Sequence, residues 1–294
     1  MTLVRVCVFS FLAAAFLTFS PAAFAQTPPP PTPPDNATAT APPAQTADDD
    51  DAVFQPGQPD FTLVALPTSL RLPRFKSAFR VTHRFTRPLN CDTCSSSLFG
   101  DLFGLDNGAI IGLEYRFGIV KNGEIGIHRT SDKTIEFFGQ YGVVRQGKAP
   151  IDVSVLVSVD GTNNFQDEHS PGIGLILSRV IGDVAALYVE PTFVHHSNVF
   201  QQAITTDDNT FMIGLGARVR IRPTVYVVGE FTPRVSGYRP GNDQGSFGIE
   251  KRAGGHVFQL NFSNGFGTTM GQLARGGSPT NDWYLGFNIT RKFY

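Results

Sequence analysis

The sequence predicts an all-β protein, an antiparallel up-and-down transmembrane β-barrel of about twelve strands. Glycine and phenylalanine are abundant, at 30 and 26 of 294 residues, which suits strands and turns. Beyond the N-terminus, no apolar run approaches the roughly 18 residues of a membrane-spanning helix. From Phe75 onward, apolar residues recur at every second position, as in strands with one apolar face. The formal net charge of −1 argues against nucleic-acid binding.

Residues 1–25 are predicted to be an export signal. Arg5 supplies a positive charge, residues 6–20 are apolar, and the Ala-Phe-Ala of residues 23–25 fits a cleavage site before Gln26. A single membrane anchor is the alternative, which the short apolar stretch disfavours.

Residues 26–60 are predicted to be a disordered tether. They are rich in Pro, Ala and Thr and carry four consecutive aspartates at 48–51. This composition has too little apolar surface to offset the entropy of ordering. A tail that binds peptidoglycan or a partner is the alternative. The barrel is therefore predicted to occupy residues 61–294.

The alternation of apolar and polar residues identifies individual strands. In residues 151–159, for example, Val153, Val155 and Val157 lie on one face and Ser154 on the other. Twelve segments are predicted, at residues 75–86, 108–119, 122–130, 133–144, 150–159, 171–181, 184–195, 208–221, 223–233, 245–252, 255–264 and 281–293.

The predicted connections alternate between long and short, except that the third, at residues 131–132, is short where the alternation requires a long one. Short periplasmic turns and long external loops are typical of outer-membrane barrels. An even number of strands places both termini on the periplasmic side. The C-terminal aromatic Tyr294 is typical of barrels delivered to the outer-membrane assembly machinery. That machinery and outer-membrane lipid are the predicted partners.

Four stretches carry a resemblance to a known family: FRVTHRF, GDLFGLDNGAIIGLEYRFG, IGIHRTSDKTIEFFGQYGVVRQ and NTFMIGLGARVRI. They resemble uncharacterised bacterial outer-membrane β-barrel proteins that are classed as a domain of unknown function. The resemblance covers residues 67–294. It implies a barrel in the outer membrane of a Gram-negative-type bacterium, and it assigns no chemistry to any residue.

The face opposite the apolar one is polar and charged, and it is predicted to line the lumen. A lumen of Arg and Glu can carry solutes through an aqueous channel, or it can close on itself through salt bridges. The predicted lumen-lining residues are Arg80, Arg84, Glu114, Arg116, Glu136, Gln140, Arg218, Arg220 and Glu230. The leading functional hypothesis is a pore or transport protein.

Cys91 and Cys94 form a CxxC motif in the first long loop. In an exported protein such a pair favours a disulfide, whereas a redox centre, a metal site or unpaired thiols are the alternatives. Asp101, Asp106 and Asn107 surround a glycine-rich turn, where turn formation is favoured over calcium binding. His83 and His128 each lie beside an Arg, and no third ligand accompanies them, so no metal site and no cofactor are predicted.

His195 and Ser197 are the weak candidates for catalysis. On a strand, positions i and i+2 share a face, so the imidazole could activate the hydroxyl, with Asp207 or Asp208 orienting the imidazole. The string His-x-Ser-Asn resembles the motif of the outer-membrane lipid A deacylases over four residues. An outer-membrane lipid ester hydrolase is therefore the second hypothesis.

A structural or surface-presenting barrel without transport is the third functional hypothesis. A soluble secreted β-sandwich is the alternative fold.

Overall fold

The protein is a closed antiparallel barrel of twelve strands, as the sequence predicts. The computed structural model describes residues 55–90, 100, 102–105, 107–200, 205–280 and 282–294. The helical segments in this part of the chain are a 3₁₀ turn at Leu102–Gly104, α1 at Thr162–Phe165 and α2 at Met270–Arg275. No described helix has the length and apolar character needed to cross a membrane.

Apart from β10, the strands begin and end within three residues of the predicted limits. They are β1 Ser77–Pro88, β2 Ala109–Val120, β3 Gly123–Thr130, β4 Ile135–Val144, β5 Asp152–Gly161, β6 His169–Ile181, β7 Ala185–Val194, β8 Thr210–Arg222, β9 Val225–Thr232, β10 Arg234–Gly237, β11 Gln244–Ala253, β12 His256–Ser263 and β13 Tyr284–Phe293.

Each strand pairs with its neighbours in sequence, and β1 pairs with β13 to close the barrel. The thirteen strand segments make up twelve barrel strands, because β9 and β10 lie end to end and both pair with β8. The break between β9 and β10 falls at Pro233, which has no N–H to donate to the sheet. The strand thus continues to Gly237, where the sequence predicts a loop from residue 234.

The two faces of the wall differ as the alternation predicts. Large apolar side chains are exposed on the outside, including Leu113, Val157 and Leu187. Such a surface is suited to contact with lipid. Lipid cannot form hydrogen bonds with backbone N–H and C=O groups, and closure of the sheet pairs these groups with one another. The inner face carries buried polar and charged side chains instead.

The connections divide the barrel into two ends. Two- or three-residue turns join β2 to β3, β6 to β7, β8 to β9 and β11 to β12, and we call this the turn end. The opposite loop end carries the longer connections, among them residues 264–283 with α2.

The largest apolar core cluster lies inside the barrel, not between layers. It joins Leu63 and Leu66, which precede β1, to Met270 and Leu273 of α2 and to inward-facing wall residues such as Tyr188. The lumen is therefore occupied by two segments of the chain itself.

Candidate functional site

Residues 58–72 enter the lumen from the turn end and fold back on themselves, and we call them the lumen hairpin. Thr62 and Pro67 form an antiparallel bridge. Two hydrogen bonds close the tip: the Leu63 N–H donates to the Leu66 carbonyl at 2.8 Å, and the Thr68 N–H donates to the Phe61 carbonyl at 2.8 Å. Leu63 and Val64 are fully buried. The hairpin then returns to the turn end and continues into β1.

Residues 58–60 belong to this hairpin, although the sequence analysis places them at the end of the tether. Gln58 and Asp60 are buried in spite of their polarity. The wall satisfies Asp60, because the Thr290 hydroxyl donates to its carboxylate at 2.8 Å. Lys292 donates to the Pro59 carbonyl.

Glu230 binds the tip of the hairpin. Its carboxylate accepts the N–H groups of Val64, Ala65 and Leu66, each at 3.0 Å. Successive N–H groups that converge on one anion form a nest, and hydrogen bonds to a charged acceptor are stronger than neutral ones. A single wall side chain thus satisfies three consecutive backbone donors.

Donors on the wall bind the hairpin carbonyls in the same way. Arg80 and the Asn288 amide both donate to the Val64 carbonyl, the latter at 2.9 Å. Gln259 donates to the Leu63 carbonyl at 2.9 Å, and Arg218 donates to the Thr62 carbonyl at 2.6 Å. These contacts reach main-chain atoms and do not depend on the hairpin side chains.

Two glycines of β8 make room for the apolar tip. A Cβ on Gly216 would lie 2.2 Å from Leu63 Cδ1, and a Cβ on Gly214 would lie 2.9 Å from Leu66 Cδ2. Both glycines face inward, since the alternation of β8 places Leu215 outside. The sequence shows these glycines on the polar face but does not show that they accommodate another segment.

Helix α2 fills the lumen from the loop end. Thr269 and Gln272 form a capping box at its start. Two wall carboxylates hold this end: Glu136 accepts the Met270 N–H at 3.0 Å, and Asp160 accepts the Thr269 hydroxyl. Between α2 and the lumen hairpin, a cavity of about 30 Å³ remains, room for a water molecule or two.

Seven of the predicted lumen-lining charges are buried on the inner face, where they pair with one another and with the lumen hairpin. Arg80 donates to Glu114 at 3.1 Å, and Glu114 also accepts from Arg116. Arg84 donates to Asn288 at 2.8 Å. Arg220 is only partly buried and donates to the Pro223 carbonyl at the rim of the turn end. Gln140, on the same face, donates to the Thr68 carbonyl at 2.8 Å.

Two buried carboxylates that the sequence analysis did not single out complete this network. Glu124 accepts from Arg116 at 2.7 Å and from the Leu72 N–H at 3.2 Å. Glu250 accepts two hydrogen bonds from Arg218, at 2.7 and 2.8 Å. Both lie at inward positions of their strands, so the alternation of β3 and β11 was the available signal.

The expectation that His195 and Ser197 share a face is wrong. The intervening His196 has a φ of 53°, which ends the extended backbone after β7 and turns Ser197 inward. The Ser197 hydroxyl lies 2.8 Å from the Thr210 hydroxyl and donates to the Asp208 carbonyl, while His195 contacts Asn209 at 2.6 Å.

Asp207 does not orient the imidazole of His195 either. It is exposed and accepts from the Thr205 hydroxyl. The geometry therefore does not assemble the proposed nucleophile and base.

His196, which was not a candidate, joins two loops instead. Its Nδ1 lies 2.7 Å from Asp208 and its Nε2 lies 2.7 Å from Glu168. Hydrogen bonds to these two carboxylates favour the imidazolium and raise the pKa of His196. The contact lies beside a wide depression of about 990 Å³ at the loop end.

The predicted disulfide of Cys91 and Cys94 and the turn residues Asp101 and Asp106 lie outside the described residues. Within the part of the chain that is described, no group of three or more His, Cys, Asp or Glu side chains could hold a metal ion.

Fold and lumen together define a membrane-type β-barrel whose interior is occupied by its own chain. The family model of the membrane bound beta barrel domain (DUF5777) matches residues 61–293, and the chain belongs to this family. No curated protein matches the chain.

Several solved structures are similar to the chain at low identity. The NanC porin is 8% identical, with a TM-score of 0.48, over 74% of this chain and 99% of its own. The COG4313 outer membrane channel from Pseudomonas putida F1 is 9% identical, with a TM-score of 0.46, over 76% and 97%. The outer membrane protein Omp33 of Acinetobacter baumannii is 10% identical, with a TM-score of 0.42, over 74% and 98%.

Proposed function

We propose that this protein is an outer-membrane channel that its own lumen hairpin holds closed. Solute passes when the hairpin leaves the lumen through the turn end. In this proposal residues 1–25 are a cleaved export signal, the residues that follow form a periplasmic tether, and the barrel is delivered through its C-terminal strand to the assembly machinery and embedded in outer-membrane lipid.

The main support for this proposal is the way in which polar side chains of the barrel wall bind the main chain of the hairpin. Glu230, Arg80 and Arg218 contact its main chain, and each of these groups is well solvated by water once the hairpin has gone. An empty lumen would therefore be a charged aqueous passage, in contrast to an apolar core, which would collapse. Displacement exposes apolar surface at the tip, on Leu63 and Leu66, and on the α2 and wall residues that pack against it.

Leu66→Asp tests the proposal because it changes the hairpin and leaves the wall intact. The new carboxylate would lie in the apolar cluster close to Glu230 and would destabilise the closed state. Loss of a buried leucine and burial of a charge cost about 2–4 kcal/mol, which raises the open fraction roughly 30- to 1,000-fold. Single-channel conductance of the refolded mature protein in a planar bilayer measures this fraction.

Leu105→Asp is the matched control, since Leu105 is 56% exposed in the first long loop. The proposal expects frequent discrete openings for Leu66→Asp and wild-type behaviour for the control. Leu66→Asp protein that folds, as heat-modifiable gel mobility shows, and remains silent would contradict the proposal. That result would favour a structural barrel without transport.

A further inference from the structure

We propose that the lumen is a binding site for polypeptide supplied in trans, that the lumen hairpin is its resident occupant, and that Glu190 is a subsite the hairpin leaves unfilled. The ligand class is a short peptide that forms an apolar turn and carries an amine or guanidinium at the position of Leu66. The inference rests on the proposed function in one respect: the hairpin must be able to leave.

The first argument is that recognition is directed at the peptide backbone. Glu230 takes three consecutive N–H groups, while wall amides and guanidinia take the carbonyls of Thr62, Leu63 and Val64. Such contacts are open to any segment that adopts the same turn. Gly214 and Gly216 add one steric condition, that the side chains at the positions of Leu63 and Leu66 fit closely against them.

The second argument is that one carboxylate at the hairpin tip has no hydrogen-bond partner. Both carboxylate oxygens of Glu190 are buried and accept no hydrogen bond from any described residue, and the side chain is 2% exposed. An unpaired buried carboxyl is costly. Every other carboxylate that contacts the lumen hairpin is satisfied by it or by the wall, so the deficit is specific to this position.

The third argument places Glu190 beside the side chain of Leu66. A Cβ on Gly214 would lie 2.9 Å from Leu66 Cδ2 and 3.2 Å from Glu190 Cβ, so the two side chains meet over this glycine. Glu190 pairs across strands with Gly214, and Glu230 pairs with Gly216. Two carboxylates thus flank β8 at the hairpin tip, and a cation at the Leu66 position would compensate the unpaired one.

The test uses the full-length mature Leu66→Asp protein in detergent micelles, because this substitution raises the fraction of molecules with the hairpin out of the lumen. The probes are fluorescently labelled synthetic peptides of residues 58–70, one with the native sequence and one with Leu66→Lys. A third peptide carries N-methyl groups on the amides of residues 64 and 65. Fluorescence anisotropy measures the dissociation constants.

We expect the Leu66→Lys peptide to bind at least tenfold more tightly than the native peptide. N-methylation should weaken binding at least tenfold, because the methylated amides cannot donate to Glu230. Adding Glu190→Gln to the receptor should remove the advantage of the lysine while it preserves binding of the native peptide. Glu168→Gln, at a loop carboxylate that contacts His196 and not the hairpin, is the matched control and should leave the binding of all three peptides unchanged.

Equal binding of the N-methylated peptide would overturn recognition of the main chain. A lysine advantage that survives Glu190→Gln would overturn the subsite. If no peptide binds, the inference is wrong. The conductance of the same Leu66→Asp protein then shows whether the channel proposal is wrong as well. A conducting protein leaves the channel proposal standing, whereas a silent one removes both.

Discussion

The lumen hairpin and helix α2 both fill the lumen, but the barrel holds them differently. The loop that contains α2 is fixed at both ends, because β12 precedes it and β13 follows it. The lumen hairpin is joined to β1 on one side only, and no described strand precedes it. Withdrawal of the hairpin therefore breaks non-covalent contacts alone, including the Arg71–Asp152 ion pair, whereas α2 can only shift within its loop.

Their contacts differ in the same sense. Wall carboxylates hold α2 at its N-terminal end, and Arg234 on β10 donates to the Arg275 carbonyl at 2.9 Å at the other end. Polar wall groups such as Glu230 and Arg218 instead contact the middle of the hairpin, at the main chain of residues 62–66, while its apolar tip packs against α2. In the proposed channel the two segments therefore have different roles: α2 narrows the lumen permanently, and the hairpin closes it reversibly.

Glu230→Ala should give the largest effect on this comparison. It removes the acceptor of three buried N–H groups, a loss of about 1–3 kcal/mol, and raises the open fraction roughly 5- to 150-fold in bilayer recordings. Asp167→Ala, at an exposed carboxylate between α1 and β6, is the matched control. This residue lies at the loop end and does not contact the hairpin, so its open fraction should match wild type; an increase as large as that of Glu230→Ala would contradict the account.

Glu136→Gln should have a smaller effect, because it weakens only the start of α2. The amide oxygen can still accept the Met270 N–H, and the loop remains anchored by β12 and β13. We expect less than a threefold change in open fraction, or about 0.6 kcal/mol, which is the low end of the range for an ordinary hydrogen bond because the bond is weakened and not lost. A rise in open fraction equal to that of Glu230→Ala would show that α2, and not the hairpin, closes the lumen.

The contact of His196 with Glu168 and Asp208 should give the smallest effect on conductance, since it lies at the loop end. The pKa of His196 is raised, so its imidazolium stabilises these loops below about pH 6.5. The stabilisation is lost as the pH rises through the raised pKa.

Hydrogen exchange of the amides at residues 195–199, corrected for intrinsic rates, should therefore become faster as the pH rises above the pKa of His196. This pH-dependent rise in exchange rate should be absent in His196→Gln and retained in His169→Gln. Exchange that quickens equally in His196→Gln would refute the assignment.

The alternation of residues was sufficient to predict the barrel, because strand period and loop length are local properties of a sequence. It could not reveal the lumen hairpin. The polar residues Gln58 and Asp60 are typical of a tether, and their burial depends on partners far along the chain. Glu230, for example, is 164 residues from Leu66.

The candidate site was harder still to predict. The alternation predicts which face Ser197 takes only while the backbone stays extended, and the left-handed conformation of His196 ends that condition. Similarly, the inward charges were identifiable from the sequence, but whether they face water, each other or another segment depends on what enters the lumen.

A disulfide between the lumen hairpin and the wall tests the central claim most directly. The hydroxyls of Ser69 and Ser178 lie 2.5 Å apart, so Ser69→Cys/Ser178→Cys can join the hairpin to β6. The control is Ser246→Cys/Ser263→Cys, which joins the neighbouring strands β11 and β12, where the hydroxyls lie 3.0 Å apart. Both pairs are placed in the Leu66→Asp protein with Cys91 and Cys94 replaced by serine.

The account predicts that oxidation silences the hairpin-locked protein in bilayer recordings and that reduction restores its openings. The strand-locked control should conduct in both states. Equal conductance of the hairpin-locked protein before and after reduction, with the disulfide verified by mass spectrometry, would contradict the claim that the hairpin closes the channel.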